Sequence, residues 1–316
     1  MLTQPHDLPR EIPGKEISGL SVHIHPLAGS ILNGDNDDLA PFFLAALKEH
    51  RKVLASGGPQ VLKNAPESAV ALADVPGFPT VCVKQFRWRG WLHALKGLFR
   101  PTQGRRTFRN GRRLNEAGIS AACPLALISK KRLGLTATEW VVMEVLPGAL
   151  ELDRYILTRL TEPWTREEER GLTRLLGRFI GTMHSKGIFH SDLKTCNILV
   201  SDELCPAAIA DGDPLHRDRQ ACSPRFTLLD YDDVSFSRDI NARKRVKNLV
   251  QIFLSTPVAI RAVSRLRFLT EYALHAGISA GQMRRTARDV VKEARGRRIL
   301  YVGFHGDVVE DWETQE

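Results

Sequence analysis

Residues 190–200, with the sequence HSDLKTCNILV, constrain this chain more than any other stretch. A histidine, an aspartate, a lysine and an asparagine stand there at the spacing H-x-D-L-K-x-x-N, and an apolar run follows. Asp192 and Asn197 are far enough apart on a loop for one to face an acceptor hydroxyl and the other the phosphates of a nucleotide. Because these residue types seldom share these offsets by chance, a merely polar loop before a strand is the weaker interpretation. The stretch predicts a phosphoryl-transfer loop.

The spacing of this loop predicts a role for each of its polar side chains. Asp192 would accept the proton of the acceptor hydroxyl, and Asn197 would hold a metal ion. Lys194 would steady the γ-phosphate during transfer. A helical pattern over residues 165–186 precedes the loop, with three glutamates in its first turn and Gly187 at its end. This gives the motif the helix-then-loop context that it requires.

A strand predicted at residues 80–86 (TVCVKQF) places Lys84 near its carboxyl end. A lysine in an apolar strand is costly unless it meets an anion, such as the α- and β-phosphates of a nucleotide. An exposed lysine on an edge strand is an equally good interpretation of Lys84 alone. Glu116 is the only acidic residue between Asp74 and Glu139, so it is the only local candidate for a carboxylate partner of Lys84.

The apolar run WVVMEVL at residues 140–146 predicts a buried strand that ends in a Pro-Gly turn. As a hinge between two lobes, it would offer the Glu144 carbonyl and the Leu146 amide to adenine, with Met143 behind the ring. The alternative is any buried strand that ends in Pro-Gly. The position of this strand between Lys84 and Asp192 favours the hinge.

A second apolar run, FTLLDYD at residues 226–232, predicts a strand that ends in acidic residues. Asp230 directly follows the apolar run and is the candidate for binding a magnesium ion that bridges the nucleotide phosphates. Asp232 and Asp233 are weaker candidates, and an acidic turn after a strand is the alternative.

The net charge of +9 favours anionic partners, and the basic residues are unevenly distributed. Residues 84–113 contain ten lysines and arginines, no acid, and several interleaved aromatic and aliphatic side chains. Helical apolar spacing within residues 91–99 predicts a basic amphipathic segment, which would lie on an anionic membrane surface or bind anionic ligands. A solvated basic face that packs on the fold through its aromatics is an equally good alternative.

Several features indicate a cytoplasmic protein. No apolar run approaches the length of a membrane helix, and the first residues do not resemble a signal peptide. The chain contains five cysteines and no C-x-x-C pair, which favours free thiols in a reducing compartment over disulfides or a zinc site.

In order, the chain offers a β-rich start, Lys84, Glu116, a hinge at residues 144–148, the 190–200 loop and Asp230. This series resembles the protein-kinase-like fold, and within that fold it is most similar to the bacterial lipopolysaccharide kinase family of inner-core heptose and Kdo kinases. The resemblance covers about residues 50–255. It rests on VKQF at 83–86 before a Trp/Arg-rich insert, NEAGI at 115–119, the 190–200 loop and LLD at 228–230.

The resemblance implies an α+β, bilobal kinase-like fold with a β-rich N-lobe and a mainly helical C-lobe. The implied domains are an N-terminal extension at residues 1–40, an N-lobe at 41–146 with a basic aromatic insert at 87–113, and a C-lobe at 147–316. Residues 1–38 show no period and predict a loose extension.

The implied function is ATP-dependent phosphorylation of a sugar hydroxyl on the lipopolysaccharide core, with ATP and Mg²⁺ as cofactors. Lys84 would clamp the ATP phosphates, Glu116 would orient Lys84, and Asn197 and Asp230 would bind the metal. The partner would be a core glycolipid at the cytoplasmic face of a Gram-negative inner membrane, with peripheral contact to the anionic surface. Nucleic-acid binding by the basic stretch would not explain the kinase-like series.

Three departures from the kinase pattern leave alternatives open. The hairpin expected to cover the phosphates, KNAPES at residues 63–68, has no glycine, which suggests a pseudokinase that serves as a binding module. Retention of the catalytic residue types opposes that alternative. Ser191 replaces the arginine of H-R-D, and no A-P-E follows Asp230. The last two departures argue against the other alternative, an atypical serine/threonine protein kinase regulated by phosphorylation.

Overall fold

The computed structural model describes residues 15–17, 19–35, 39–87, 101–132, 135–161, 165–202 and 224–311. The contacts divide the chain into two units. The N-terminal unit consists of Met1–Arg112 and Ala122–Val145, and the C-terminal unit of Arg113–Ala121 and Leu146–Glu316. This division assigns residues 113–121 to the C-terminal unit, whereas the predicted N-lobe runs without interruption from residue 41 to residue 146.

A seven-stranded antiparallel sheet with the order β1-β2-β6-β7-β5-β4-β3 forms the centre of the N-terminal unit. Its strands are β1 Lys15–Ile17, β2 Leu20–Ile24, β3 Val61–Asn64, β4 Ser68–Ala73, β5 Val81–Phe86, β6 Pro124–Arg132 and β7 Leu135–Glu144. Strand β5 confirms the strand predicted at residues 80–86, and β3 and β4 form the hairpin expected at residues 63–68. The unit also contains the helices α1 Ala28–Leu32, α2 Leu39–Ser56 and most of α3 Gln103–Glu116.

The expectation of a loose extension is wrong for residues 20–24, which form β2 and pair with β6 through the register Val22↔Ile128. The sequence LSVHI does alternate apolar and polar residues, but the run is short and only Val22 becomes fully buried. A strand this short gives a weak periodic signal, and its partner is far away in sequence. Residues 88–100 of the predicted insert lie outside the described residues.

The two faces of the sheet pack against different helices. Val81 and Val83 of β5 point to one face, where they join a buried cluster that includes Phe43 and Leu47 of α2. Phe86 points to the opposite face and joins a second cluster with Leu127 and Val141, against which Phe108 of α3 packs. Alternation along β5 therefore separates the two clusters.

The C-terminal unit is mainly helical. Its elements are β8 Leu150–Glu151, α4 Leu152–Thr161, α5 Arg166–Ser185, β9 Ile188–His190, β10 Ile198–Asp202, β11 Pro224–Leu228, β12 Val234–Phe236, α6 Ala242–Ser255, α7 Ala262–His275, α8 Ala280–Ala294, β13 Ile299–Gly303 and β14 Gly306–Glu310. Helices α5 and α7 lie so close together that a Cβ atom at Gly177 would be 2.6 Å from the Phe268 carbonyl oxygen. Glycine at this position permits the close approach. The hairpin of β13 and β14 occupies residues to which no element could be assigned from the sequence.

Helix α5 confirms the prediction for residues 165–186. Thr165 caps it by accepting a hydrogen bond from the Glu168 amide, and the Glu168 carboxylate accepts one from the Thr165 amide. The helix ends before Gly187, whose φ of 70° is in the left-handed region. Strand β9 and the 190–200 loop follow directly.

Three cysteines lie in the described ranges, Cys82, Cys123 and Cys196, and all three are free thiols. Across the same ranges, no helix combines the length and the apolar character that crossing a membrane requires.

Candidate active site

His190 is the buried anchor of the predicted phosphoryl-transfer loop. Its Nε2 donates to the Leu229 carbonyl at 3.0 Å, and its Nδ1 accepts a hydrogen bond from the Asp192 amide at 3.2 Å. This pattern requires a neutral ring with its proton on Nε2. Burial lowers the pKa of His190 and favours the same neutral form. The histidine thus ties the loop to the strand that leads to Asp230.

The structure brings Asp192, Lys194 and Asn197 together. The Asn197 Nδ2 donates to the Asp192 carbonyl at 2.8 Å, and the Lys194 Nζ lies 3.1 Å from the Asp192 Oδ1. The side chains of Asp192 and Lys194 are each 44% exposed. An ion pair with this exposure contributes little stability, about 0–1 kcal/mol. Its effect is to orient the Lys194 and Asp192 side chains toward each other. Both side chains remain accessible to a substrate.

The polar face of helix α6 holds the backbone of this loop. Gln251 Nε2 donates to the Ser191 carbonyl at 2.8 Å, and Gln251 Oε1 accepts from the Leu193 amide at 3.2 Å. Asn248 Nδ2 donates to the His190 carbonyl. These bonds satisfy backbone groups on both sides of Asp192 and fix the path of the loop, and Gln251 Nε2 also lies 3.5 Å from the Asp192 Oδ1.

Ser255 continues the same face of α6 one turn later. Its hydroxyl oxygen accepts from the Thr195 amide at 2.9 Å, and its carbonyl accepts from the Thr195 hydroxyl at 2.6 Å. The sequence predicted only the apolar face of this helix. Asn248 and Ser255 are nevertheless buried, and a polar residue at a buried helical position was the signal that could have found them.

Asn197 and Asp230, the predicted metal ligands, emerge from one end of a small antiparallel ribbon. Strands β10 and β11 pair with Ile198 opposite Leu228, and the Leu229 amide donates to the Asn197 carbonyl at 2.9 Å. Asp230 has φ 50° and ψ 45°, a left-handed conformation uncommon outside glycine. Backbone strain of this kind occurs at functional sites, where it aims a side chain.

The donor set fits a magnesium ion shared with a nucleotide. Because Asn197 Nδ2 bonds to the Asp192 carbonyl, Oδ1 is the amide atom available as a ligand. Magnesium commonly takes only one or two protein oxygens and completes its shell with phosphates and water. Among the described residues, no three His, Cys, Asp or Glu side chains cluster as a metal site. Asp232, a weaker candidate, is buried.

Glu116 is the last residue of α3 and is exposed. The segment that follows it is bonded to the strand leading to Asp230. Asn115 bonds both the amide and the carbonyl of Ala121, and the Ser120 carbonyl accepts from the Leu228 amide at 2.9 Å. The end of α3 is therefore fixed within the C-terminal unit.

Lys84 does not lie on an edge strand, so that alternative is wrong. Strand β5 lies between β7 and β4, and Lys84 pairs with Val141 of β7. Its Nζ lies 5.3 Å from the centre of the Phe86 ring, on the face opposite α2. Met143 packs against the Phe86 cluster on this same face. Lys84 thus lies on the internal strand β5, and Met143 lies on the neighbouring strand β7.

The predicted hinge begins where β7 ends. The Glu144 amide donates to the Cys123 carbonyl at 3.0 Å, and the Glu144 carboxylate accepts from the Cys123 amide at 2.6 Å. Burial raises the pKa of this carboxyl group. The Leu146 carbonyl accepts from the Ala149 amide at 3.2 Å and closes the predicted turn, in which Gly148 has a φ of 70°.

The glycine-free hairpin at residues 63–68 is a tight turn with an external support. Ala65 and Ser68 exchange both backbone hydrogen bonds, at 2.9 and 3.2 Å. From the end of β5, Arg87 donates to the Ala65 carbonyl at 2.6 Å and to the Asn64 Oδ1 at 2.7 Å. The sequence had grouped Arg87 with the basic insert, so this role was missed.

Known proteins resemble this chain over more than half of its length. Residues 81–272 match a model of the lipopolysaccharide kinase (Kdo/WaaP) family. The lipopolysaccharide core heptose(I) kinase WaaP of Pseudomonas aeruginosa is 24% identical over 221 residues, which cover 68% of this chain and 73% of that protein.

Solved structures give the same comparison at the level of the fold. A structure of WaaP in complex with acyl carrier protein matches with a TM-score of 0.52 and 19% identity, over 80% of this chain and 96% of that one. A Rio2 kinase complex from Chaetomium thermophilum matches with a TM-score of 0.40 and 15% identity, over 79% of this chain and 75% of that one. The first match confirms the predicted kinase-like α+β fold.

Proposed function

The chain belongs to the lipopolysaccharide kinase (Kdo/WaaP) family, and we propose that it phosphorylates a heptose or Kdo hydroxyl of the lipopolysaccharide inner core. Membership makes the chain an ATP-dependent phosphotransferase of lipopolysaccharide biosynthesis. The observation that carries the proposal is the loop in which Asn197 bonds Asp192 while Asp192 and Lys194 stay half-exposed. A loop held in this way presents a carboxylate and an ammonium group to a small hydroxyl acceptor.

In the proposed reaction, Asp192 orients the acceptor hydroxyl and accepts its proton. The hydroxyl oxygen forms a bond to the γ-phosphorus, and the bond from that phosphorus to ADP breaks. Lys194 stabilises the charge on the transferring phosphoryl group. Since such a transfer needs little covalent chemistry from the protein, the loop contributes mainly by positioning.

The remaining residues bind the nucleotide. Lys84 would clamp the ATP phosphates, with Glu116 as its carboxylate partner. Asn197 and Asp230 would hold Mg²⁺, which would neutralise phosphate charge. Adenine would contact the Glu144 carbonyl, the Leu146 amide and the Met143 side chain. Oxygen donors at Asn197 and Asp230, and the common sheet face of Lys84 and Met143, support these roles.

The acceptor is tested by offering two substrate classes side by side. Purified core glycolipids from kinase-deficient strains, some ending in Kdo and some carrying heptose, are incubated with labelled ATP beside a peptide array. We expect label on one core glycolipid and none on peptides. Label on peptides alone would instead identify a protein kinase, and ATP binding without transfer to either class would identify a pseudokinase.

We also propose that the chain works at the cytoplasmic face of the inner membrane, held peripherally by exposed arginines. On α3, Arg105 and Arg109 are exposed and Arg106 is half-exposed. Such a basic helix attracts anionic lipid. Reversal of Arg105 and Arg106 to glutamate should release the protein from anionic vesicles. Reversal of Arg284 and Arg285 on α8 changes net charge equally and should not.

A solved relative contains an acyl carrier protein, so that protein is a second candidate partner. The same two double variants distinguish it from lipid. Loss of carrier-protein binding with unchanged vesicle binding, after reversal of Arg105 and Arg106, would favour the carrier protein. If the wild-type protein and both double variants bind vesicles equally, the α3 arginines are an ordinary solvated surface.

A further inference from the structure

Glu139 is a carboxylate buried at the centre of the N-terminal sheet. It lies on β7 and is 3% exposed. Its Oε2 accepts a hydrogen bond from the Gly104 amide at 3.0 Å, and its Oε1 accepts one from the Thr102 hydroxyl at 2.7 Å. The Ser129 hydroxyl approaches Oε1 at 3.4 Å. A buried carboxylate is tolerated only where such donors surround it, and here two of its three partners belong to the start of α3.

These bonds bring a carboxylate to the start of α3 from outside the helix. The first amides of a helix have no partner within the helix, and their partial positive charge favours an anion. The first turn of α3 contains no acidic residue. Glu139 supplies the carboxylate from the sheet and bonds the amide of the second helical residue, Gly104. The start of α3 is thereby attached to β7.

Gly104 permits this attachment. A Cβ atom there would lie 2.7 Å from the Glu139 Oε2 and 3.0 Å from the Glu139 Cβ. Contacts that short are not tolerated by real side chains, so any other residue would push the helix and the carboxylate apart. The glycine is needed for close approach, since its φ is not positive.

The attachment lies on the sheet face that carries Lys84. Glu139 is opposite Phe86 in the β5–β7 register, and Val141 is opposite Lys84. Residues two apart on a strand share a face, so Glu139 and Lys84 point to the same side. One turn along α3, Phe108 packs against Phe86 and Val141 on this side. Helix α3 is therefore fixed at its start and near its middle.

We propose that Glu139 is a positioning residue, which fixes α3 on the Lys84 face of the sheet and so holds Phe108 against the Phe86 cluster, beside the Lys84 side chain. The proposal rests on the nucleotide-binding role proposed above for Lys84. Because α3 is bonded to the sheet in this way, its position on the Lys84 face does not require phosphorylation of another segment. Ser191, in the place of the arginine that would bind an activating phosphate, agrees with this.

The first test uses the close contact between Gly104 and Glu139. Gly104→Ala should lower kcat about tenfold, because the new Cβ collides with the carboxylate. Glu139→Ala should lower kcat by a similar factor, because it releases α3. In the double variant the space left by the Glu139 side chain accepts the Cβ added at position 104, so kcat should be no lower than in either single variant. Independent losses that multiply to about a hundredfold would overturn the proposal.

The second test asks whether Glu139 acts through Lys84. Glu139→Gln should lower kcat in the wild-type background and have no further effect in a Lys84→Ala background. Equal losses in both backgrounds, or no loss in either, would overturn the proposal. Val290→Ala, in the buried face of α8, is the control for general destabilisation and should leave kcat unchanged at the same loss of thermal stability.

Hydrogen exchange gives a readout that needs no acceptor. The Gly104 amide has no partner within its helix, so its protection reports the Glu139 bond directly. Glu139→Gln should speed exchange at this amide, while the amides of α8 stay unchanged. Unchanged protection of Gly104 would contradict the positioning role. If exchange changes as expected but no core sugar is phosphorylated, the proposed acceptor is wrong and the attachment of α3 still stands.

Discussion

The loop at residues 190–197 and the hairpin at residues 63–68 are supported in different ways. The loop keeps the residue types of a phosphoryl-transfer motif, and one face of α6 bonds its backbone at His190, Ser191 and Leu193. The hairpin has no glycine, and a single side chain, Arg87, holds its turn. The loop is therefore held by more side-chain contacts than the hairpin is.

This comparison also separates two kinds of functional residue. Asp192, Lys194 and Asn197 are proposed to contact the substrates directly, and their spacing can be recognised in the sequence. Gln251 and Arg87 act by holding backbone, and nothing in their local sequence marks them. Variants of the two kinds should therefore differ in size of effect and in which kinetic constant changes.

The largest effect should come from Asp192→Ala. Removal of the carboxylate that orients the acceptor should lower kcat by about a thousandfold or more, within the range of a lost catalytic base and its positioning. ATP affinity should stay within about twofold, because the nucleotide is bound elsewhere. Steady-state kinetics and nucleotide titration measure the two quantities. Asp239→Ala, an exposed carboxylate in the loop before α6, is the control. A rate near wild type for Asp192→Ala would refute the catalytic assignment.

The second effect is on stability and concerns His184, which bonds Asn248, the residue that donates to the His190 carbonyl of the loop. His184 bonds the Asn248 Oδ1 at 3.1 Å and the Tyr272 hydroxyl at 2.8 Å, and burial lowers its pKa to about 4. The folded pKa is below the unfolded value of 6.5. Stability is therefore full above that value and falls as the pH drops toward 4, by on the order of 3 kcal/mol.

His184→Gln should flatten this pH dependence without abolishing it, because burial also lowers the pKa of His50 in the N-terminal unit to about 4. Urea unfolding between pH 4 and 8 measures the slope. If the slope is the same in the variant, His184 is not a source of the acid sensitivity.

The third effect should come from Gln251→Ala. The change leaves the Ser191 carbonyl and the Leu193 amide without their side-chain partner, at a cost of about 1–3 kcal/mol for each buried group. We expect kcat to fall about tenfold while ATP affinity stays constant, because the loop loses its path near Asp192. Arg243→Ala, on the exposed side of α6, should change neither quantity. A change in ATP affinity alone would show that α6 does not support the acceptor side.

The smallest effect should come from Arg87→Lys. A lysine cannot bond the Ala65 carbonyl and the Asn64 side chain in the same fork, so the turn should loosen. We expect the KM for ATP to rise about threefold, with kcat unchanged, since each such bond contributes about 1 kcal/mol. A fall in kcat equal to that of Gln251→Ala would remove the contrast between the hairpin and the loop.

Much of the fold could be predicted because its signals are local. The helix at residues 165–186 has a capping box and a terminal glycine, and strands β3 to β5 lie between clear turns. Strand β2 was missed because it is short, and strands β13 and β14 were missed because apolar side chains also stand at their exposed positions. Their exposed positions include Leu300 and Val309, so no apolar–polar alternation marked the hairpin.

The candidate site divides in the same way. Fixed spacing predicted Asp192, Lys194 and Asn197, and the structure brings them together. Gln251 and Glu139 could not be predicted, because their hydrogen-bond partners are 60 and 35 residues away. Such contacts depend on tertiary packing, which a single sequence does not reveal.

The central claim is that the acceptor is a core sugar, and mass measurement of the product tests it most directly. Purified core from a kinase-deficient strain is incubated with magnesium and ATP, with wild-type protein in one sample and Asp192→Ala in the other. We predict that wild-type protein adds one phosphate, which fragmentation assigns to a heptose or a Kdo, and that the variant adds none. An unchanged core mass with wild-type protein, across both heptose- and Kdo-terminated cores, would contradict the claim.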